Sequence, residues 1–393
     1  PANRYQMSYR VLARKSRPQT FEEVVGQKTV VKTLQNSLKR NRVAHAILFS
    51  GVRGVGKTTL ARLMAKALNC GNGPTPTPCN QCVSCRQITE GASLDLYEID
   101  GASNRGIQEV RELKEKIKFL PSTSTYKIVI IDEVHMLTTE AFNALLKTLE
   151  EPPEHVYFMF ATTELQKIPI TILSRCQRYE LKRVRSEELA AHFQSLSAKE
   201  GIELESGALS LIVRESEGSV RDGLSLLDQV FSYGESTITT TDVVEVLGLV
   251  NRDILNNITR ALLQGDRASA LANLSETFKF GMDTKRFMAD LLECFRALLL
   301  IKIEGCAELL DVSEDDMKTL QETAETFSAE TIHLKLALLM KTAEDLRYSL
   351  QPKLLLETAF LSIVESGNVV PVSSLLETLD QTIGTLPDVA PAE

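Results

Sequence analysis

The first half of the chain switches between two hydrophobic rhythms. From Phe21 to Leu181, stretches with apolar residues three and four apart alternate with short continuous apolar runs. The spacing predicts helices over Gln27–Leu38, Lys57–Leu68, Ile107–Ile117 and Thr139–Glu150; in the second, Leu60, Leu63, Met64 and Leu68 share one face. Between them Ala46–Phe49, Asp95–Ile99, Lys127–Ile131, Val156–Ala161 and Arg178–Leu181 read as strands, and Ile170–Leu173 is strand-like. The run Ile128-Val129-Ile130-Ile131 is apolar at every position, as expected of a central parallel strand covered on both faces. These residues predict an α/β layer with a parallel sheet.

After Lys182 the strand signals vanish. Glu187–Lys199, Ser206–Glu215, Ser219–Ser232 and Thr241–Leu247 read as short amphipathic helices, with Gly201, Gly218 and Gly234 placed as C-terminal stops. A second all-helical block runs from Arg252 to about Ile383, with helices expected at Asp283–Ile303, Ala329–Tyr348 and Pro352–Ser366. Leu386 to Glu393 reads as a linker or frayed tail. The predicted domains are thus 1–183, 184–250 and 251–384, with a tail over 385–393.

Length and composition agree with several soluble domains: 393 residues, 43% apolar and 24% charged. Apolar runs such as Ala297–Ile301 fall far short of the ~20 residues that cross a bilayer. Met7-Ser8 reads as the natural start, and the lack of a basic, apolar leader predicts a cytoplasmic protein. The net charge of −8 hides an asymmetry. Residues 1–70 carry 14 basic and 2 acidic groups, whereas residues 301–393 carry 6 basic and 17 acidic groups. A basic front end suits a phosphate backbone, although solvated helix faces explain it equally.

Three motifs carry chemistry. Gly51-Val52-Arg53-Gly54-Val55-Gly56-Lys57-Thr58-Thr59 contains G-x-x-x-x-G-K-[ST] between a predicted strand and a predicted helix. Glycines let successive N–H groups and the helix N-terminus surround phosphates, Lys57 reaches the β- and γ-phosphates, and the Thr58 hydroxyl ligates Mg²⁺. Asp132-Glu133-Val134-His135 follows the apolar strand, where a carboxylate faces the ligand crevice of an open sheet. Asp132 would support the metal and Glu133 would orient or deprotonate a water; His135 fits packing as well as function. Cys70, Cys79, Cys82 and Cys85 supply four thiolates for a closed structural zinc site, with an iron–sulfur cluster as the rival. Cys176, Cys294 and Cys306 read as small buried apolar residues. Arg175, in Ser174-Arg175-Cys176, and Arg221, near a helix start, could be ordinary surface arginines or supply positive charge at a γ-phosphate.

Several segments together resemble a known family. Tyr9 to Lys15, Arg17-Pro18-Gln19-Thr20-Phe21 and Val24-Val25-Gly26-Gln27 resemble the opening of the gamma/tau clamp-loader ATPases of bacterial DNA polymerase III. Ala144 to Pro153 and Ile172 to Cys176 are similar to the AAA+ clamp-loader core. The resemblance runs from Tyr9 to Asp228, includes the cysteine quartet, and is weak beyond Asn251. It implies an AAA+ P-loop NTPase domain with a zinc-binding insertion, a small all-α lid and an all-α collar.

By the same resemblance, Arg175 reaches the ATP of an adjacent subunit and Arg221 contacts ATP in its own. Thr162 or Thr163 is the polar sensor, and Pro18 and Val24 to Gln27, Val25 among them, line adenine and ribose. The implied cofactors are ATP, Mg²⁺ and Zn²⁺. The implied partners are delta, delta-prime and further gamma/tau subunits, the sliding clamp, and primer–template DNA held by its backbone, with no membrane. ATP hydrolysis would drive clamp opening and loading, and no polymerase chemistry is expected in this chain. The longer family form continues into further domains, and this chain stops before them. The alternatives are a P-loop helicase, which shares Asp-Glu-x-His but needs a second ATPase-like lobe, and a nucleotide-binding scaffold without turnover.

Overall fold

In a computed structural model, the described residues are 11–234, 236–248, 252–279, 282–303, 305–306, 310 and 314–367. Tyr9 and Arg10, the boundary at 250/251, and everything after 367, including the expected tail, lie outside them. The chain divides into two compact units, Pro1–Val243 and Val244–Glu393.

The first unit opens with α1 (Leu12–Lys15) and α2 (Lys28–Lys39). Then come β1 (Ala46–Ser50), α3 (Lys57–Asn69), α4 (Val83–Glu90), β2 (Leu96–Asp100), α5 (Ile107–Ile117) and β3 (Lys127–Asp132). They are followed by α6 (Thr139–Glu150), β4 (Val156–Thr162), α7 (Ile170–Leu173) and β5 (Gln177–Glu180). The five strands form one parallel sheet in the order β2-β3-β4-β1-β5. After β1 the chain crosses to the far edge and returns strand by strand. The C-terminal ends of β1 and β3 therefore open on the same rim, where such sheets bind ligands.

Strand alternation divides the core into two layers. Ile47, Phe49, Ile128, Ile130 and Met159 pack on the face carrying α3, with Leu60, Leu63 and Met64. Leu48, Val129, Ile131, Phe158 and Phe160 pack on the opposite face with α5 and α6. Each such side chain contributes about 1.5–3 kcal/mol by leaving water, which explains why the polar residues of the central strands, such as Ser50, Lys127, Asp132 and Thr162, fall at their ends.

The remainder of this unit is helical: α8 (Ser186–Glu200), α9 (Ser206–Glu215), α10 (Val220–Tyr233) and α11 (Thr240–Leu247). Two expectations need correction here. Strand did not vanish after Lys182: β6 (Glu203–Leu204) and β7 (Thr237–Ile238) pair in parallel, long-range bridges too short to leave a pattern. Ile170–Leu173 is a helical turn, not a strand, because Pro169 starts it and the N–H groups of Ile172 and Leu173 close on the Pro169 carbonyl. Of the expected stops, Gly201 caps α8 with φ +76° and Gly234 caps α10 in an extended conformation, whereas Gly218 lies two residues beyond Ser216, the cap of α9.

The second unit holds α12 (Arg252–Gln264), α13 (Arg267–Lys279), α14 (Thr284–Lys302), α15 (Glu314–Thr326), α16 (Ala329–Leu346) and α17 (Pro352–Glu365). Phe287, Leu291, Phe295, Ile332, Leu339 and Phe360 form its core. Among the described residues its buried charged side chain is Lys335, whose Nζ donates to the Leu262 carbonyl at the end of α12 (2.7 Å). Among the described residues no helix is long and apolar enough to cross a membrane.

Candidate functional site

The loop after β1 curls because its glycines adopt backbone angles closed to other residues. Gly54 and Gly56 have φ +77° and +103°. At Gly54 the constraint is also steric: an added Cβ would lie 1.9 Å from Ser219 Oγ, the N-cap of α10. The loop thus closes directly against the helical part of the unit, where the Arg221 N–H donates to the Gly54 carbonyl (3.3 Å).

Lys57, at the start of α3, is 6% exposed and donates to the carbonyls of Gly51 (2.8 Å) and Val52 (2.9 Å). Burial lowers its ammonium pKa, against the opposing pull of Glu133 and Asp132. The Thr58 hydroxyl donates to Asp132 Oδ2 at 2.6 Å, joining the phosphate loop to the end of β3 across 74 residues. This hydroxyl–carboxylate pair is a hard-oxygen site suited to Mg²⁺.

Glu133 sits in the left-handed region at φ +45°. Its Oε2 accepts from the Thr163 N–H (3.1 Å) and hydroxyl (2.8 Å). His135, with a side chain 5% exposed, lies 3.4 Å from Glu133 Oε2, 3.0 Å from Thr162 Oγ1 and 3.3 Å from Glu164 Oε1. The two threonines therefore divide the work: Thr163 holds the glutamate directly, and Thr162 reaches it through the imidazole. His135 belongs to the acidic network, a role its sequence position left open.

A cleft of about 940 Å³ gathers these elements. Pro18, Val25, Arg53, Gly54, Val55, Gly56, Lys57, Thr58, Thr59, Asp132, Glu133 and Arg221 line it, all of them site residues expected from sequence. Gly51 and Val52 enter through the carbonyls that receive Lys57, and Thr163 enters through Glu133. Arg175 is not among the lining residues. Its guanidinium pairs with Glu150 and donates to the Thr171 carbonyl (2.7 Å).

The cleft also recruits residues that no motif announced: Arg14, Arg17, Arg62, Thr89 and His192. Burial lowers the Arg17 pKa, and its neighbours Arg62 and Arg221 add to the effect, which marks a concentration of positive charge. Burial lowers the His192 pKa as well. The basic residues were visible as a charge excess, but only folding brings Arg17, Arg62 and Arg221 together.

The second cluster lies at the other end of α3. The sulfurs of Cys70, Cys79, Cys82 and Cys85 all fall within 4.8 Å of one another. Backbone N–H groups point at them: Gly71 and Cys85 to Cys82 (3.3 and 3.4 Å), Cys82 to Cys79 (3.3 Å) and Cys79 to Cys70 (3.5 Å). The N–H groups of Cys82 and Gln81 bring the Cys79 thiol down to about 6, while burial pushes the Cys85 thiol up. Four converging sulfurs with N–H···S support form a donor set that fits tetrahedral zinc. Part of the cluster is helical: Cys82 caps α4 and Cys85 lies in its first turn, a helix the sequence reading missed. Cys176, Cys294 and Cys306 are half-buried rather than fully buried; Cys176 and Cys294 pack at the edges of two cores.

Family models match the chain in three consecutive stretches. The family model for the DNA polymerase III delta subunit matches residues 26–185, that for a clamp-loader ATPase lid matches 188–236, and that for domain III of subunits gamma and tau matches 238–379. The DNA polymerase III subunit gamma of Buchnera aphidicola (strain Bp) is 40% identical over 361 residues, covering 90% of this chain and 96% of that protein. The chain belongs to the DNA polymerase III gamma/tau family. It has the family's fold, an AAA+ α/β sheet domain with helical domains after it. The tau subunit of Bacillus subtilis is 41% identical over 366 residues, covering 92% of this chain and 64% of its own length. The chain likewise spans 53% of the Escherichia coli tau subunit. Among solved structures, the Thermotoga maritima RuvB branch migration motor aligns at 19% identity and TM-score 0.46, covering 78% of this chain and 89% of that one.

Proposed function

We propose that this chain is an ATPase motor subunit of the sliding-clamp loader, with ATP bound in the cleft between the phosphate loop, β3 and α10. The observation that carries the reading is the Thr58–Asp132 hydrogen bond at 2.6 Å, beside a glutamate fixed by Thr163. It pairs a metal-binding hydroxyl with a carboxylate, one residue before a carboxylate suited to orient water. A scaffold that only holds nucleotide does not need that second acid.

In this reading the loop amides and Lys57 cradle the phosphates, and Arg17 and Arg221 add positive charge from the same chain. Thr58 and Asp132 would hold Mg²⁺, which would supply neutralising positive charge to the phosphates. Glu133 orients the attacking water or takes its proton, and His135 and Thr163 hold its carboxylate in place. Pro18 and Val25 give the apolar wall for the base. Arg175 lies outside its own chain's cleft, which supports a role at the nucleotide of a neighbouring subunit. Residues 1–183, 184–250 and 251–384 then serve as ATPase domain, lid and collar, the collar joining the chain to delta, delta-prime and further gamma/tau copies. Basic side chains of the ATPase domain meet DNA phosphates without reading bases, so DNA affinity falls steeply with salt.

ATP turnover by the reconstituted complex, with and without clamp and primed DNA, tests the proposal. DNA-stimulated hydrolysis that disappears in Arg175→Ala is the expected result. Full stimulation in that variant would remove the inter-subunit arginine, and no turnover under any condition would leave a scaffold. Strand unwinding by the chain alone would favour a helicase.

A further inference from the structure

Helix α3 connects two sites usually treated apart. Lys57 begins it at the phosphate loop, and Cys70 follows its last residue. Helix α4 makes the return journey: Cys82 caps it, Cys85 lies in its first turn, and the residues at its other end, Thr89, Glu90 and Gly91, line the nucleotide cleft. Between the two helices sits Lys66, a buried lysine that the mechanism above does not use. It is 3% exposed. Its Nζ donates to Gln19 Oε1 (2.6 Å) and Asn80 Oδ1 (2.9 Å), both neutral acceptors. A buried ammonium held only by amide oxygens is costly without negative charge nearby. Burial lowers the pKa of this ammonium, against the opposing pull of Cys85 and, more weakly, Glu23; four thiolates around one divalent metal would carry a net charge of −2.

Gln19 is the other half of the link. It lines the cleft, and its Oε1 accepts from Thr89 Oγ1 of α4 (3.3 Å) as well as from Lys66. Its Nε2 donates to the Arg17 carbonyl (2.9 Å), and its backbone N–H is held by Glu23 (2.6 Å). The segment Arg17-Pro18-Gln19, which borders the cleft, is thus held by one residue of α3 and one of α4, while Asn80, between Cys79 and Cys82, completes the ammonium's shell.

We propose that Lys66 is a positioning residue through which the four-cysteine module holds the Arg17–Gln19 segment against the nucleotide. The module would then help set nucleotide affinity as well as pin a loop. The inference rests on the reading of the cleft as a nucleotide site.

The test titrates a fluorescent ATP analogue, with Mg²⁺, into the full chain carrying its metal. Wild type, Lys66→Met, Gln19→Ala and the double variant are compared, with metal content and thermal melting measured on each. Lys66→Met is expected to weaken affinity about tenfold while the metal stays bound, and the double variant to bind no worse than the weaker single variant, because both break one link. Stripping the metal from wild type is expected to weaken affinity by a similar factor. Unchanged affinity in Lys66→Met, or losses that simply multiply in the double variant, would overturn the proposal. Should Lys66→Met not melt cooperatively, Lys66→Gln replaces it in the same cycle with the same criteria. A wild-type chain that binds no nucleotide would instead overturn the reading of the cleft, and the inference with it.

Discussion

The two ends of α3 hold ligands by opposite means. At its N-terminus the phosphate loop works with backbone: glycines at φ +77° and +103° expose amides, and side chains would obstruct. At its C-terminus the cysteine module works with side chains: four sulfurs converge within 4.8 Å, and backbone amides only support them. A loop that must admit and release a polyanion is built from preset curvature. A loop that must stay closed is served by side chains that would hold a metal in place of a larger hydrophobic core. The difference predicts that changes at the phosphate end alter function with little loss of fold, and that changes at the sulfur end lower stability and nucleotide affinity while sparing turnover.

Glu133→Gln is the sharpest way to break that comparison at the phosphate end. Turnover should fall about 10²- to 10⁴-fold, with nucleotide affinity and melting temperature nearly unchanged, read by steady-state hydrolysis and by titration. Gly54→Ala comes next. Its Cβ would meet Ser219 Oγ and would sit in a left-handed conformation, so the free loop should relax away from this geometry, and restoring it on binding, at about 1–2 kcal/mol of backbone strain, should weaken nucleotide affinity by about tenfold or more. Affinity equal to wild type would show that the loop can move away from α10 freely.

Cys79→Ser tests the sulfur end. Metal content and folded yield should drop, and the melting temperature should fall by several degrees, about 2–4 °C per kcal/mol for a unit of this size. The surviving protein should keep its turnover number while its nucleotide affinity weakens. Loss of turnover with affinity intact would contradict the division of labour between the two ends.

A third loop offers a control with no metal. Asp95 is fully buried, and its carboxylate accepts from the N–H groups of Ser122, Thr123 and Ser124 at 2.8–2.9 Å. Burial opposes the charged form, but the three amides outweigh it and hold the carboxyl below the ordinary aspartate range. Because the folded value is the lower one, this stabilisation is complete above about pH 4, the unfolded value, and is lost as pH falls through the folded value. Asp95→Asn should cost about 2 kcal/mol at neutral pH and flatten the acid limb of stability, followed by urea melts from pH 7 to pH 3. An acid limb as steep as that of wild type would assign the loss to other carboxylates.

Much of the fold was legible because its signals are local. The apolar run of β3, the helical spacing after Lys57 and the glycine pattern each depend on neighbours a few residues apart. The same holds for the cysteine quartet, confined to 16 residues. The errors came where that locality fails. Ile170–Leu173 looks apolar enough for a strand, but Pro169 starts a turn. Helix α4 was missed because the prolines and glycines before it suggested loop throughout. The β6–β7 bridge joins residues more than 30 positions apart and is two residues long.

The sequence by itself determined which chemistry this protein carries: a loop for phosphates, acids at a strand end and four thiols for a metal, each encoded in contiguous residues. Only the tertiary structure decided how these parts address one another. It joined Thr58 to Asp132, gave Glu133 to Thr163 and His135 to the same acidic network, gathered Arg17, Arg62 and Arg221 around one cleft, and placed Lys66 between the cleft and the sulfurs. The reason is physical: hydrogen bonds and charge act over a few ångströms of space, and the distance along the chain between two partners leaves no trace in the pattern of either.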